Sequence, residues 1–135
     1  FALVASPAYI RRHGLPRTLE DAASHSAVLP SYADISRMDC RRGDESHTLH
    51  LHSALQSNST VMLHQLLLAG SGIGYLPLWL AQDDLTAGRL VRLLPDWQLR
   101  SITLHAAYPA RRHLSAKIRS FIDFLVEKAK TVEGD

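Results

Sequence analysis

A disulfide framework is excluded from the outset, because the 135 residues include one cysteine, Cys40. That usage fits a reducing compartment, and the cytoplasm is the expected setting. Long apolar runs are missing too. Phe1-Ala2-Leu3-Val4 is far too short for a signal peptide or a membrane span. Neither sign of charge dominates: 15 Lys and Arg stand against 13 Asp and Glu, a formal net charge of +2. The densest basic cluster, Arg111-Arg112-His113, is too short for a nucleic-acid-binding stripe. There is no internal repeat, no low-complexity tract and no initiating methionine, and the opening residues read as mid-strand. The chain is therefore expected to be a fragment of a longer protein.

What remains is an ordinary globular composition, 46% apolar and 21% charged, enough to bury a core without staples. Phe1–Ala5 reads as a strand buried on both faces. Ser6 caps a short helix with Pro7 in its first turn, and Gly14 ends it. Thr18, with Asp21 three residues on, starts another helical turn. Ser26–Leu29 is a strand stopped at Pro30-Ser31-Tyr32. Ala33–Ser46 has no period and many charges, which predicts a mobile loop or an irregular hairpin. Thr48–Leu55 alternates, with Leu49, Leu51 and Leu55 on one face and Thr48, His50 and His52 on the other.

Asn58-Ser59-Thr60 is a helix start. Val61, Met62, Leu66 and Ala69, with Leu63 and Leu67 beside them, predict a broad buried face. The helix ends in Gly70-Ser71-Gly72-Ile73-Gly74, and a strand to Leu76 and Pro77 follows directly. A phosphate-cradling loop runs the other way, strand first and then a helix N-terminus. Gly70, Gly72, Gly74 and Pro77 are therefore structural, shaping a corner. Pro77–Ala81 reads as a short helix, and Arg89–Leu94 and Ile102–Tyr108 as strands. Ser115 caps a final amphipathic helix, with Ile118, Phe121, Ile122, Leu125 and Val126 on its stripe. Alternating strands and helices predict an α/β layer architecture.

No catalytic constellation emerges. A Gly-x-Ser-x-Gly elbow is absent, since Gly70-Ser71-Gly72 follows a helix. Cys40 reads as a loop thiol beside solvated Arg41 and Arg42, with no histidine placed by local sequence. His47, His50 and His52 could supply two ligands to one divalent ion, but a working site needs at least a third. A polar outer strand face is the simpler reading of these histidines. Trp79 and Trp97, next to prolines, read as core or edge plugs. The expected reading is no enzyme, no metal and no cofactor. The better candidates stand where strands end and helices begin: Ser6, Pro30, Ser31, Tyr32, Asn58 and Ser59. Such positions suit a small anionic or polar ligand, although Ser6 and Asn58 also fit plain helix capping.

Set in order, these segments resemble the C-terminal effector-binding domain of LysR-type transcriptional regulators. The resemblance is carried by Leu3-Val4-Ala5-Ser6-Pro7-Ala8-Tyr9 with His13-Gly14-Leu15-Pro16, and by Leu19-Glu20-Asp21 with His25. It continues through Leu68–Pro77, Leu85–Val91 with Leu94-Pro95-Asp96-Trp97, and Tyr108-Pro109 with Arg112–Ser115 and Phe121–Leu125. It spans nearly the whole chain. Ser71 departs from it, standing where a larger apolar residue is frequent, as does Ser59, where an acidic residue often follows the asparagine.

The resemblance implies an incomplete two-lobed domain of the type II periplasmic-binding-protein-like class, a mixed sheet flanked by helices. Residues 1–5 would be the first crossover strand, 6–104 lobe two, and 105–135 the second crossover strand and a helix of lobe one. It implies a small-molecule effector in an interlobe cleft and DNA contact through an N-terminal winged helix-turn-helix outside this chain. It also implies assembly as a homodimer or tetramer, and no membrane partner. The final helix would then need its own lobe or a neighbouring chain to cover its stripe. A transport solute-binding protein is the alternative, and a small metal-dependent enzyme a more distant one.

Overall fold

The computed structural model describes residues 1–32, 34–99 and 116–133. It divides into two compact units, Phe1–Ser101 and Ile102–Asp135. In the first unit β1 (Ala2–Ala5) is followed by α1 (Pro7–His13), α2 (Leu19–Ser24) and β2 (Ser26–Pro30). Next come β3 (Arg37–Arg42), β4 (Glu45–His50), β5 (His52–Ser57) and α3 (Thr60–Leu68). The unit ends with β6 (Gly74–Leu76), α4 (Leu78–Thr86), β7 (Val91–Arg92) and β8 (Gln98–Leu99). The second unit contributes α5 (Ala116–Glu133), where Lys128 Nζ sits 5.7 Å from the Phe124 ring centre, one turn away. The strand expected at Ile102–Tyr108 lies outside the described residues, as does the boundary expected between 104 and 105.

Strand β1 is central, paired antiparallel with β6 on one side and β7 on the other. Strands β2 and β5 are parallel. A parallel bridge at Ala27 and Ile73 joins the two sets, with Ile73 N–H donating to Ser26 O at 2.9 Å and Val28 N–H to Ile73 O at 2.8 Å. The result is a mixed sheet with helices packed against it. Its two sides bury separate cores, one around Leu3, Leu29, Cys40, Tyr75 and Trp97, the other around Val4, Val28, Leu63, Leu67 and Leu76.

The helix starts follow their sequence signals. Ser6 Oγ accepts from Tyr9 N–H with Pro7 in the first turn, and Gly14 closes α1 at φ 89°. Thr18 and Asp21 form a reciprocal capping box. Ser59, rather than Asn58, caps α3 by accepting from Met62 N–H at 3.3 Å.

Several expectations are corrected. The charged stretch forms a regular hairpin, β3 with β4 from Arg37↔His50 to Arg42↔Glu45, because Gly43 at φ 58° supplies the turn conformation. Cys40 is thus a buried strand residue, not a loop thiol. The Thr48–Leu55 alternation is split between two sheets. At Leu51 the chain leaves β3 and crosses to β2, and its N–H donates to Ser36 O at 2.7 Å. His50 and His52 consequently belong to different strands. A bulge in β5 opposite Ala27/Val28 adds one residue, and from His52 to Gln56 the strand buries neither face. Leu49 and Leu51 are buried while Leu55 is 43% exposed. In α3 the core takes the Leu63/Leu67 side, one turn apart, and leaves Val61 and Met62 exposed. Trp97 does plug the core, but Trp79 is 70% exposed at the start of α4. Helix α4 also runs past Ala81 to Thr86, and the β7 pairing is confined to Val91–Arg92.

Candidate functional site

The C-terminal end of β2 opens into a cavity of about 280 Å³, close to the ~300 Å³ lower end of ligand pockets. Leu29, Pro30 and Ile35 supply its apolar walls. Ser31, Tyr32, Ser36, Asp34 and Gln56 supply its polar groups. The site follows from the β2–β5 pairing. Parallel register sets Leu29 beside Gln56 and Pro30 beside Ser57, and Ser31 N–H extends the ladder to Ser57 O at 3.0 Å. The loop leaving β2 and the start of α3 are thereby held together. Tyr32 Oη lies 3.5 Å from Thr60 Oγ1 in the first turn of that helix.

The one charged side chain among the described lining residues is Asp34. Ser36 turns both its hydroxyl (2.6 Å) and its backbone N–H (3.2 Å) onto Asp34 Oδ1. Those two bonds, with a smaller pull from Arg37, hold the carboxyl below its ordinary range, so it is ionised at neutral pH.

The structure therefore brings Pro30, Ser31 and Tyr32 together in one cavity. Asn58 and Ser59 follow β5 directly, at the α3 start, and the Ser59 hydroxyl is engaged in capping. Ser6 lies elsewhere: it is buried, caps α1, and packs close to Gly70. Sequence reasoning missed Asp34, Ser36 and Gln56. The Asp-x-Ser spacing that builds a local side-chain turn was the available signal for the first two.

The glycine corner packs the sheet against α3. A Cβ on Gly72 would stand 2.6 Å from Ser26 O, and one on Gly74 2.6 Å from Val28 O. Gly70 adopts φ 77°, and Arg12 Nη2 donates to its carbonyl at 2.8 Å. Pro77 directly precedes α4 and occupies its cap position. These four residues shape the fold and line none of the cavity.

Two further polar groupings stand apart. Buried Asp84 in α4 accepts from Arg89 Nε on Oδ1 and meets His64 Nε2 on Oδ2, both at 2.5 Å. Burial alone would raise this carboxyl, but the Arg89 and His64 bonds outweigh it and leave it below its ordinary value. His47, one of the three clustered histidines, packs edge-on against Trp97 at 5.3 Å, with the Arg42 guanidinium 4.6 Å over the same ring. Among the described residues no three His, Cys, Asp or Glu side chains converge on a metal-sized site. No described helix is long and apolar enough to cross a membrane.

A mixed-sheet lobe with a polar cavity at a strand end is the architecture of a ligand-binding α/β domain. The LysR substrate binding domain model matches residues 1–130, and the chain belongs to that family. It is 32% identical over 130 residues to the HTH-type transcriptional regulator PtxR of Pseudomonas aeruginosa, covering 92% of this chain and 40% of that protein. It is 30% identical over 125 residues to the regulator DmlR of Escherichia coli, covering 91% and 40%. The structure of CrgA, a LysR-type regulator from Neisseria meningitidis, superposes with a TM-score of 0.75 at 27% identity, over 94% of this chain and 44% of that one. The regulatory domain of AphB in Vibrio vulnificus gives 0.68 at 26%, over 94% and 63%. These neighbours place the fold in the type II periplasmic-binding-protein-like class. The chain spans about two fifths of the curated relatives' length.

Proposed function

We propose that this chain is an effector-sensing portion of a LysR-type transcriptional regulator. A small polar molecule binds at the cavity of Ser31, Tyr32 and Gln56; Asn58, at the α3 start, is outside its lining. Binding favours one arrangement of the sensing domain over another and biases a homodimer or tetramer on DNA, inside the cytoplasm. DNA contact comes from a winged helix-turn-helix outside these residues. The observation that carries the reading is the family match across residues 1–130, supported by a cavity where the strand-end logic expects one. The relatives are transcriptional regulators, which favours this reading over a transport protein or a metal-dependent enzyme.

Thermal denaturation of the chain against a library of small polar metabolites tests it. A cognate effector at a hundred times its Kd stabilises by about 2.7 kcal/mol. Substituting Tyr32→Ala together with Gln56→Ala should abolish that gain. A stabilising molecule whose effect survives both substitutions binds elsewhere and refutes the assignment of the site.

A further inference from the structure

The one charged group among the described residues of the cavity bears on the chemistry of its occupant. Strand-end hydroxyls and backbone N–H groups favour an anion, yet the carboxylate standing among them is Asp34. We propose that this site takes a compact protonated amine, whose ammonium group is received by Asp34. The inference rests on the cavity being the effector site.

Three observations support it. Both Ser36 bonds fall on Oδ1, and among the described residues no donor meets Oδ2. No lysine, arginine or histidine lines the cavity among those residues. Arg37, the described cation that acts on Asp34, stands outside the lining. A carboxylate ligand would meet like charge here. An ammonium meets the opposite charge, and its bond to a carboxylate is stronger than one between neutral groups. An ammonium also brings three hydrogen-bond donors and no acceptor. The Ser31 and Tyr32 hydroxyls and the Gln56 side-chain carbonyl offer acceptors around the same space.

The test is a titration of the isotopically labelled chain followed by amide NMR, with ethanolamine and succinate as probes. Asp34→Asn is the informative variant, since it keeps the Oδ1 acceptor for Ser36 while removing the charge and turning Oδ2 into an amide donor. Ethanolamine is expected to shift the Ser31, Tyr32, Ser36 and Gln56 amides in the unsubstituted chain and to lose that effect in D34N. Succinate is expected to leave them in place. If succinate moves these amides as far, or ethanolamine still moves them in D34N, the amine proposal is overturned while the cavity reading stands. If neither probe moves them, the amine proposal is overturned, and the cavity reading stands or falls by the thermal denaturation test.

Discussion

Replacing Asp84 separates a buried charge from the hydrogen bonds it makes. Its carboxylate joins three segments: α4, which carries it, α3 through His64, and the turn after α4 through Arg89. Removing one partner of a buried ion pair costs about 3–5 kcal/mol when the other charge is stranded. Here the partners are not stranded to that degree. Arg89 is 58% exposed on its side chain and regains water. Asp84→Ala should therefore cost about 2 kcal/mol, below the fully buried figure. Asp84→Asn should cost only about 1 kcal/mol. Its amide oxygen can still accept from Arg89, and its NH2 remains within reach of the His64 ring. In a unit of Phe1–Ser101 the alanine variant should melt lower by on the order of 10 °C.

The pH dependence carries a definite sign. The folded carboxyl is depressed, so its contribution is present above the unfolded pKa of ~3.9 and fades as pH falls through the lower folded value. Urea denaturation by circular dichroism from neutral pH down to acid should show the gap between the unsubstituted chain and D84A closing at the acid end. A gap that stays constant with pH, or an alanine variant as stable as its parent at neutral pH, would sink the argument that the ionised carboxylate is what holds these segments.

Other outcomes follow from local geometry. Gly72→Ala should cost about 3 kcal/mol in urea denaturation, because the clashing atom is a backbone oxygen already bonded to Ile73 N–H. Gly43→Asn should be nearly neutral in the same assay, since its φ of 58° suits asparagine and no atom lies within 4 Å. Cys40 is buried, with Sγ donating to His47 O at 3.4 Å, and burial pushes its thiol up. A thiol-specific disulfide reagent at mildly alkaline pH should leave it unmodified until denaturant is added; rapid native labelling would contradict the buried placement.

The parts legible in the sequence are those set by neighbours along the chain. Ser6-Pro7, the Thr18–Asp21 box and Gly14 act within four residues, and each does what its chemistry dictates. Pro30-Ser31-Tyr32 was findable because a strand end is a local event. Errors arise where a distant partner decides. Leu55 is exposed because neither face of β5 meets the core, and alternation along the chain does not say which strands are covered. Cys40 sits among charges in sequence but inside the core in space, since only every second residue of β3 turns inward. Gln56 reaches the cavity only because β5 lies parallel to β2, a pairing between segments about 26 residues apart.

The same geometry constrains how a bound effector could act at a distance. At its N-terminal end α3 approaches the cavity through Thr60 and Tyr32. At its other end it runs through Gly70 into Gly72 and Gly74, where the backbone already sits within a methyl group's width of β2. That second contact has no slack, because interiors packed this tightly transmit displacement instead of absorbing it. Strand β2 therefore meets the helix system twice, through the cavity loop at its end and through the glycine corner along its length. A ligand pulling on Tyr32 cannot bend α3 away from the sheet without opening that corner.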